Sequence, residues 1–164
     1  MIPLEDLARI VLVGVGATVV MDGWLALMKA LGVPTLPFGL IGRWVGHLRH
    51  GRFAHAAIAQ APPVPHEQAL GWAVHYGVGI AFAVLLTAVW GTGWLHQPTL
   101  LPAIAVGAAT VVIPLCVMQP AMGAGFASSR TPSPVKNCLR SLATHTAFGV
   151  GLYLAAAALA MVWS

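Results

Sequence analysis

The chain alternates long apolar runs with short connectors rich in proline and glycine. Four runs reach the roughly 20 residues that a bilayer-spanning helix needs. They fall at about 7–31, 69–90, 99–118 and 139–163. Gly32, Val33 and Pro34 close the first run, as a glycine and a proline just past a helix do. "APPVPHEQ" precedes the second; its prolines keep the chain extended, and Glu67 suits a helix N-terminus. "GTGWLHQP" is a tight connection with an interfacial Trp94. Pro114 lies inside the third run and predicts a kink. Before the fourth, Ser133 is an N-cap with Pro134 at the first helical position.

The first connector has a pattern of its own. In "GLIGRWVGHLRHGRF", Leu40, Ile41, Trp44, Val45 and Leu48 recur at helical spacing, with Arg43, His47 and His50 on other faces. This predicts a short amphipathic helix lying at the membrane interface. A second pattern spans the whole chain. "VGATVVMD" from Val15 resembles "VGAATVVIP" from Val106, and "HYGVGIAF" from His75 resembles "HTAFGVGLY" from His145. Both pairs would cross the membrane in the same direction, as two parallel two-helix repeats do.

Composition sharpens the class. Of 164 residues, 59% are hydrophobic and 7% charged, whereas a soluble domain carries about 25% charged residues. Too few charges exist to build a water-facing surface. The expected fold is therefore all-α: a polytopic four-helix bundle forming a single integral membrane domain over residues 1–164. The first run lacks a cleavage site and reads as a retained helix, not a signal peptide.

The net charge of +4 speaks to topology more than to nucleic acid, since no basic run is interleaved with aromatics. Lys29, Arg43, Arg49, Arg52, Arg130, Lys136 and Arg140 flank or fill the first and third connectors; Arg9 stands apart near the N-terminus. The positive-inside rule then puts both connectors in the cytoplasm and both termini in the periplasm of a bacterial inner membrane. Cys116 and Cys138 have no CxxC spacing and lie where thiols stay reduced.

Candidate chemistry centres on ionisable residues within the runs. At about 1.5 Å per residue, Asp22 lies about 14 Å from the cytoplasmic end of its helix, and His75 and His145 about 9 Å from theirs. Each sits on a ridge of small residues: Gly14, Thr18, Asp22 and Ala26; Gly71, His75 and Gly79; Ser141, His145 and Gly149. Such ridges let helices approach closely, so these side chains face the bundle interior.

Three readings stay open. The residues fix helix register by bonding one another. They form, with Thr18, a ligand-binding or proton-relay site. Or Asp22, His75 and His145 ligate a divalent metal, or the two histidines a haem. No HExxH motif supports ligation, and no cofactor is favoured. His47, His50, His55, His66 and His96 lie in connectors and are expected to be interfacial or solvated. In "MQPAMGAGFASSRTPSP", Ser129 and Arg130, with Lys136 and Arg140 nearby, are candidates for an anion or lipid headgroup. The segment lacks the GxxxxGK[ST] phosphate loop. No nucleophile–base pair at a motif spacing suggests an enzyme.

Together "GATVVMD", "GRWVGHL", "HY", "MQPAMGAG", "SRTP" and "TH" resemble a family of small bacterial inner-membrane proteins catalogued as a domain of unknown function. The resemblance covers nearly the whole chain in order. It implies four spans and no established activity, and it places the "MD", "HY", "MQPAMGAG" and "TH" residues among the recurring motifs. Expected partners are the lipid bilayer and either a second copy of the chain or a larger membrane complex.

Overall fold

The computed structural model describes residues 3–163, and among these every regular element is helical. Helix α1 spans Leu4–Ala30, α2 Phe38–Leu48, α3 Glu67–Trp90, α4 Gly93–His96, α5 Leu100–Ala109, α6 Gln119–Met122 and α7 Pro134–Val162. Single 3-10 turns lie at Ile58–Gln60 and Phe126–Ser128. Helices α1, α3 and α7 and the segment Leu100–Met122 are each long and apolar enough to cross a membrane. The charges at their ends suit the helix dipole, with Glu5 and Asp6 in the first turn of α1 and Lys29 in its last.

The third span is not one continuous α-helix. Regular α-helical structure stops at Thr110 and Val111 and resumes through a π-turn at Pro114–Met118 that leads into α6. The cause is the expected one. Pro114 has no amide to donate, and its ring crowds the carbonyl four residues back, that of Thr110.

Contacts divide the chain into two compact units, neither of them a continuous stretch of sequence. Unit 1 comprises Met1–Val33, Tyr76–Thr110 and Ala143–Ser164; unit 2 comprises Pro34–His75 and Val111–Leu142. Unit 1 holds the apolar core, in which Val13 and Ala17 of α1, Leu86 of α3, Leu95 of α4, Ala103 of α5 and Leu152 of α7 are fully enclosed. Its helices meet at glycines. Gly14 lies against the backbone at Gly79 and Ile80, Gly107 against Gly149, and Gly151 against Ala17. The small-residue ridges of α1, α3 and α7 thus carry helix contacts, although Ala26 at the end of the α1 ridge is exposed.

Unit 2 is built on polar bonds and bare backbone. The amphipathic helix of the first connector forms as α2, but its best-buried face is Gly39, Gly42, Gly46 and His47. Leu40, Ile41, Trp44 and Val45 are half-buried, and Leu48 is exposed. Gly42 and Gly71 bring α2 and the first turns of α3 into backbone contact. Arg43 then reaches Glu67 with two bonds of 2.8 Å each. Its other nitrogen donates to the carbonyls of Ala59 at 3.1 Å and Ala61 at 3.0 Å. Glu67 also accepts from the Val64 amide at 3.2 Å, closing the turn ahead of α3.

A methyl added at Gly42 would overlap the Glu67 carbonyl and the Gly71 amide, both backbone groups that cannot step aside. One added at Gly77 would meet nothing within 4 Å. Gly42→Ala is therefore expected to destabilise the protein by about 1–3 kcal/mol. Gly77→Ala should be neutral or stabilise by about 0.5–1 kcal/mol. Thermal unfolding of the two variants in the same detergent checks the contrast.

Candidate functional site

Asp22, about two-thirds of the way along α1 and well inside its apolar stretch, has a bonding partner on α3. The Tyr76 hydroxyl donates to Asp22 Oδ2 at 2.9 Å. Two residues further along α1, Trp24 Nε1 donates to Thr144 Oγ1 of α7 at 3.3 Å. The next residue, His145, meets α5 through a 3.0 Å contact between its Nδ1 and Thr110 Oγ1. Phe82 of α3 lies beside the His145 ring, with centroids 6.3 Å apart. All of these residues belong to unit 1, and each of its four long helices supplies at least one polar group.

Thr110 Oγ1 also lies 2.7 Å from the Gly107 carbonyl, which can only accept. The single hydroxyl hydrogen goes there, so His145 Nδ1 carries the proton and donates to Thr110. The break at Thr110 matters for this arrangement, because it falls where α5 supplies the hydroxyl.

The other candidates are placed differently. Thr18 is almost completely buried at 1% exposure, and its hydroxyl donates to the Gly14 carbonyl at 2.8 Å while packing against Gly79. His75 belongs to unit 2, where its ring lies 4.3 Å from that of Phe38 and 5.9 Å from that of Trp72. Among the described residues, no group of three or more His, Cys, Asp or Glu side chains is gathered so as to hold a metal ion. Ser129, Arg130, Lys136 and Arg140 are all exposed. Tyr76 and Thr110 were not singled out by pattern; Tyr76 stands next to His75 in the "HY" motif, and Thr110 four residues before Pro114.

Two histidines expected to be interfacial or solvated are instead buried within the protein. His47 is 6% exposed and His55 8%. Their rings meet through His47 Nδ1 and His55 Nε2 at 2.7 Å, and His47 Nε2 lies 3.0 Å from the Pro62 carbonyl. That carbonyl only accepts, so His47 Nε2 carries a hydrogen. Neutral His47 therefore accepts at Nδ1 from His55 Nε2–H. This leaves His55 Nδ1 as a buried lone pair without a partner. The His55 amide donates to the Ala121 carbonyl at 2.8 Å, tying the first connector to the end of the third span. Burial, reinforced by the charge that His47 carries once protonated and by Arg52, pushes the His55 imidazole below the usual histidine range; the Ala121 carbonyl opposes this weakly.

A family model described as "Protein of unknown function (DUF2938)" matches residues 11–159, and the chain belongs to that family. No curated protein and no solved structure matches the chain.

The buried pair gives stability a defined pH dependence. His55 is kept neutral by the fold, so its contribution is complete above the ordinary histidine value of about 6.5 and is lost as pH falls through the lowered folded value. Between the two values the unfolded chain binds one more proton, a slope of at most about 1.4 kcal/mol per pH unit. Melting temperature in detergent should therefore be level at pH 7–8 and fall below about pH 6.5. His55→Gln keeps a donor toward His47 and should flatten that fall; an unchanged profile would sink the assignment.

Proposed function

We propose that this member of a family of unknown function binds or passes a small polar solute or a proton through its membrane-embedded helices. The observation that carries the reading is the polar set of unit 1. Asp22 is hydrogen-bonded to Tyr76, and His145 to Thr110, on helices apolar enough to span a bilayer. Ionisable groups at such depth are costly to keep and are functional candidates by default. The set contains a carboxylate, a phenol, a hydroxyl and an imidazole. Each can exchange or reorient a proton.

The reading includes an orientation. Unit 2 carries six basic residues and one acidic, a balance of +5; unit 1 carries Arg9 and Lys29 against Glu5, Asp6 and Asp22, a balance of −1. By the positive-inside rule, the first and third connectors lie in the cytoplasm of a bacterial inner membrane and both termini lie in the periplasm. A duplication of a two-helix unit is also part of the reading. Four residues after His75 and His145, Gly79 and Gly149 each meet a glycine of the preceding long helix, Gly14 and Gly107. Four spans make a narrow pathway for one chain, so the working form is taken to be a homo-oligomer or a subunit of a larger complex.

Proteoliposomes loaded with a pH-sensitive dye test the proton arm, and shrinkage in urea or glycerol the solute arm. The wild-type protein should dissipate an imposed gradient faster than empty vesicles. Asp22→Asn and Tyr76→Phe, folded as judged by melting temperature, should slow it on the order of tenfold. Vesicles as tight as protein-free controls in both assays would overturn the reading. So would full activity in both variants. A collapse of stability in both variants with flux per folded molecule unchanged would assign the set to helix packing alone.

A further inference from the structure

Unit 2 has one acidic residue, Glu67, and Arg43 holds it with both of its paired nitrogens at 2.8 Å. Five further cations of the unit, Arg49, Arg52, Arg130, Lys136 and Arg140, therefore have no carboxylate within it, and all five are exposed. Bare apolar side chains are interleaved with them. Phe53 is 52% exposed beside Arg52, Phe126 63% before Arg130, and Val135 72% and Leu139 60% on either side of Lys136.

This mixture suits neither bulk water nor hydrocarbon. Water disfavours a surface of bare Phe, Val and Leu, and hydrocarbon disfavours five unpaired cations. The headgroup layer of a membrane accepts both, with apolar side chains turned toward the acyl chains and cations reaching the phosphates. Helix α7 has the length for this. Its 29 residues extend about 43 Å at 1.5 Å per residue, against a hydrocarbon thickness of about 30 Å. Lys136 and Arg140, on one face at i and i+4, lie within its first seven residues.

The surface is also held in shape. The Ser128 hydroxyl, buried at 2% exposure, donates to Gln119 Oε1 at 2.8 Å. The Arg130 amide donates to the Ala124 carbonyl, Asn137 to Thr131 Oγ1 and the Cys138 thiol to the Ala127 carbonyl. Ala127 and Ser128 both take positive φ, at 47° and 60°, inside this bonded turn. Gly123 packs against the backbone of Ala56, and the His55 amide bonds Ala121, so the segment carrying Arg52 is fastened to the one leading to Arg130.

We propose that this face binds the phosphate headgroups of anionic phospholipids. Arg49 and Arg52 engage them from the first connector, and Arg130, Lys136 and Arg140 from the third connector and the start of α7. Each cation near an anionic membrane surface adds to the attraction, and together they discriminate anionic from zwitterionic headgroups.

The full chain in a mild non-ionic detergent tests this, with phosphatidylglycerol, phosphatidylcholine or inorganic phosphate added separately. Melting temperature and lipid retention by native mass spectrometry are the readouts. Phosphatidylglycerol should raise the melting temperature and bind about tenfold more tightly than phosphatidylcholine, and salt should weaken the preference. The combined variant R130Q/K136Q/R140Q should bring the preference within about twofold, with melting in phosphatidylcholine unchanged. Arg140→Lys alone should keep it, as should Asp22→Asn, which separates this face from the polar set within the spans. Equal effects of the two lipids would overturn the proposal, as would an undiminished preference in the combined variant. Stabilisation by inorganic phosphate equal to that by phosphatidylglycerol would overturn it in favour of a soluble anion.

Discussion

A carboxylate removed from water must find a donor or a cation, or it does not stay ionised there at an acceptable cost. This chain has four acidic residues, and each has one. Glu5 takes a 2.9 Å ion pair from Arg9, whose guanidinium also lies over the Trp163 ring and donates to the Trp163 carbonyl. Asp6 pairs with His96 at 2.9 Å, Glu67 with Arg43, and Asp22 with the Tyr76 hydroxyl. Three of these contacts join elements distant in sequence. They tie α1 to α4, α2 to α3, and α1 to α3, so satisfying the acids and assembling the helices are the same event.

Glycine makes that assembly possible. A polar side chain of ordinary length bridges two helices only if the helices come close, and apolar helices in lipid gain little from association unless their backbones can touch. In unit 1 the contacts at Gly14, Gly107 and Gly151 bring α1, α3, α5 and α7 within reach of Asp22, Tyr76, Thr110 and His145. In unit 2, Gly42 and Gly71 do the same for Arg43 and Glu67, and Gly46 against Val64 helps enclose His47.

The four spans are legible in the sequence because length and apolarity alone decide whether a segment can cross a bilayer. The interruption of the third span is legible for a local reason, the missing amide of Pro114. Helix α2 is legible from its periodicity, but its orientation is not. The apolar stripe suggested the side turned to the membrane and gave no sign that the glycine face packs on α3. The burial of His47 and His55 follows from that contact, which has no local signature in a stretch rich in glycine and arginine. The Tyr76 bond to Asp22 is hidden for a geometric reason. Neighbours on a helix point about 100° apart, so "HY" does not tell whether its tyrosine turns toward α1. A hydroxyl-bearing Tyr beside an intramembrane His was the available hint.

The two kinds of polar contact differ in what they permit. Arg43 and Glu67 form a forked pair whose guanidinium stays charged at any working pH and whose geometry allows little rearrangement. Such a pair is suited to holding the first connector against α3. The contacts farther along the spans use Tyr76, Thr110, Thr144 and His145, groups whose hydrogens can rotate or be handed on. Had packing been the sole requirement at Asp22, an apolar residue of similar volume would meet it without the cost of a carboxylate inside a span. Arg43 and Glu67 thus hold fixed charge outside the apolar runs, whereas exchangeable groups stand within them, and it is on that contrast that the proposed binding or passage of a small polar solute or a proton rests.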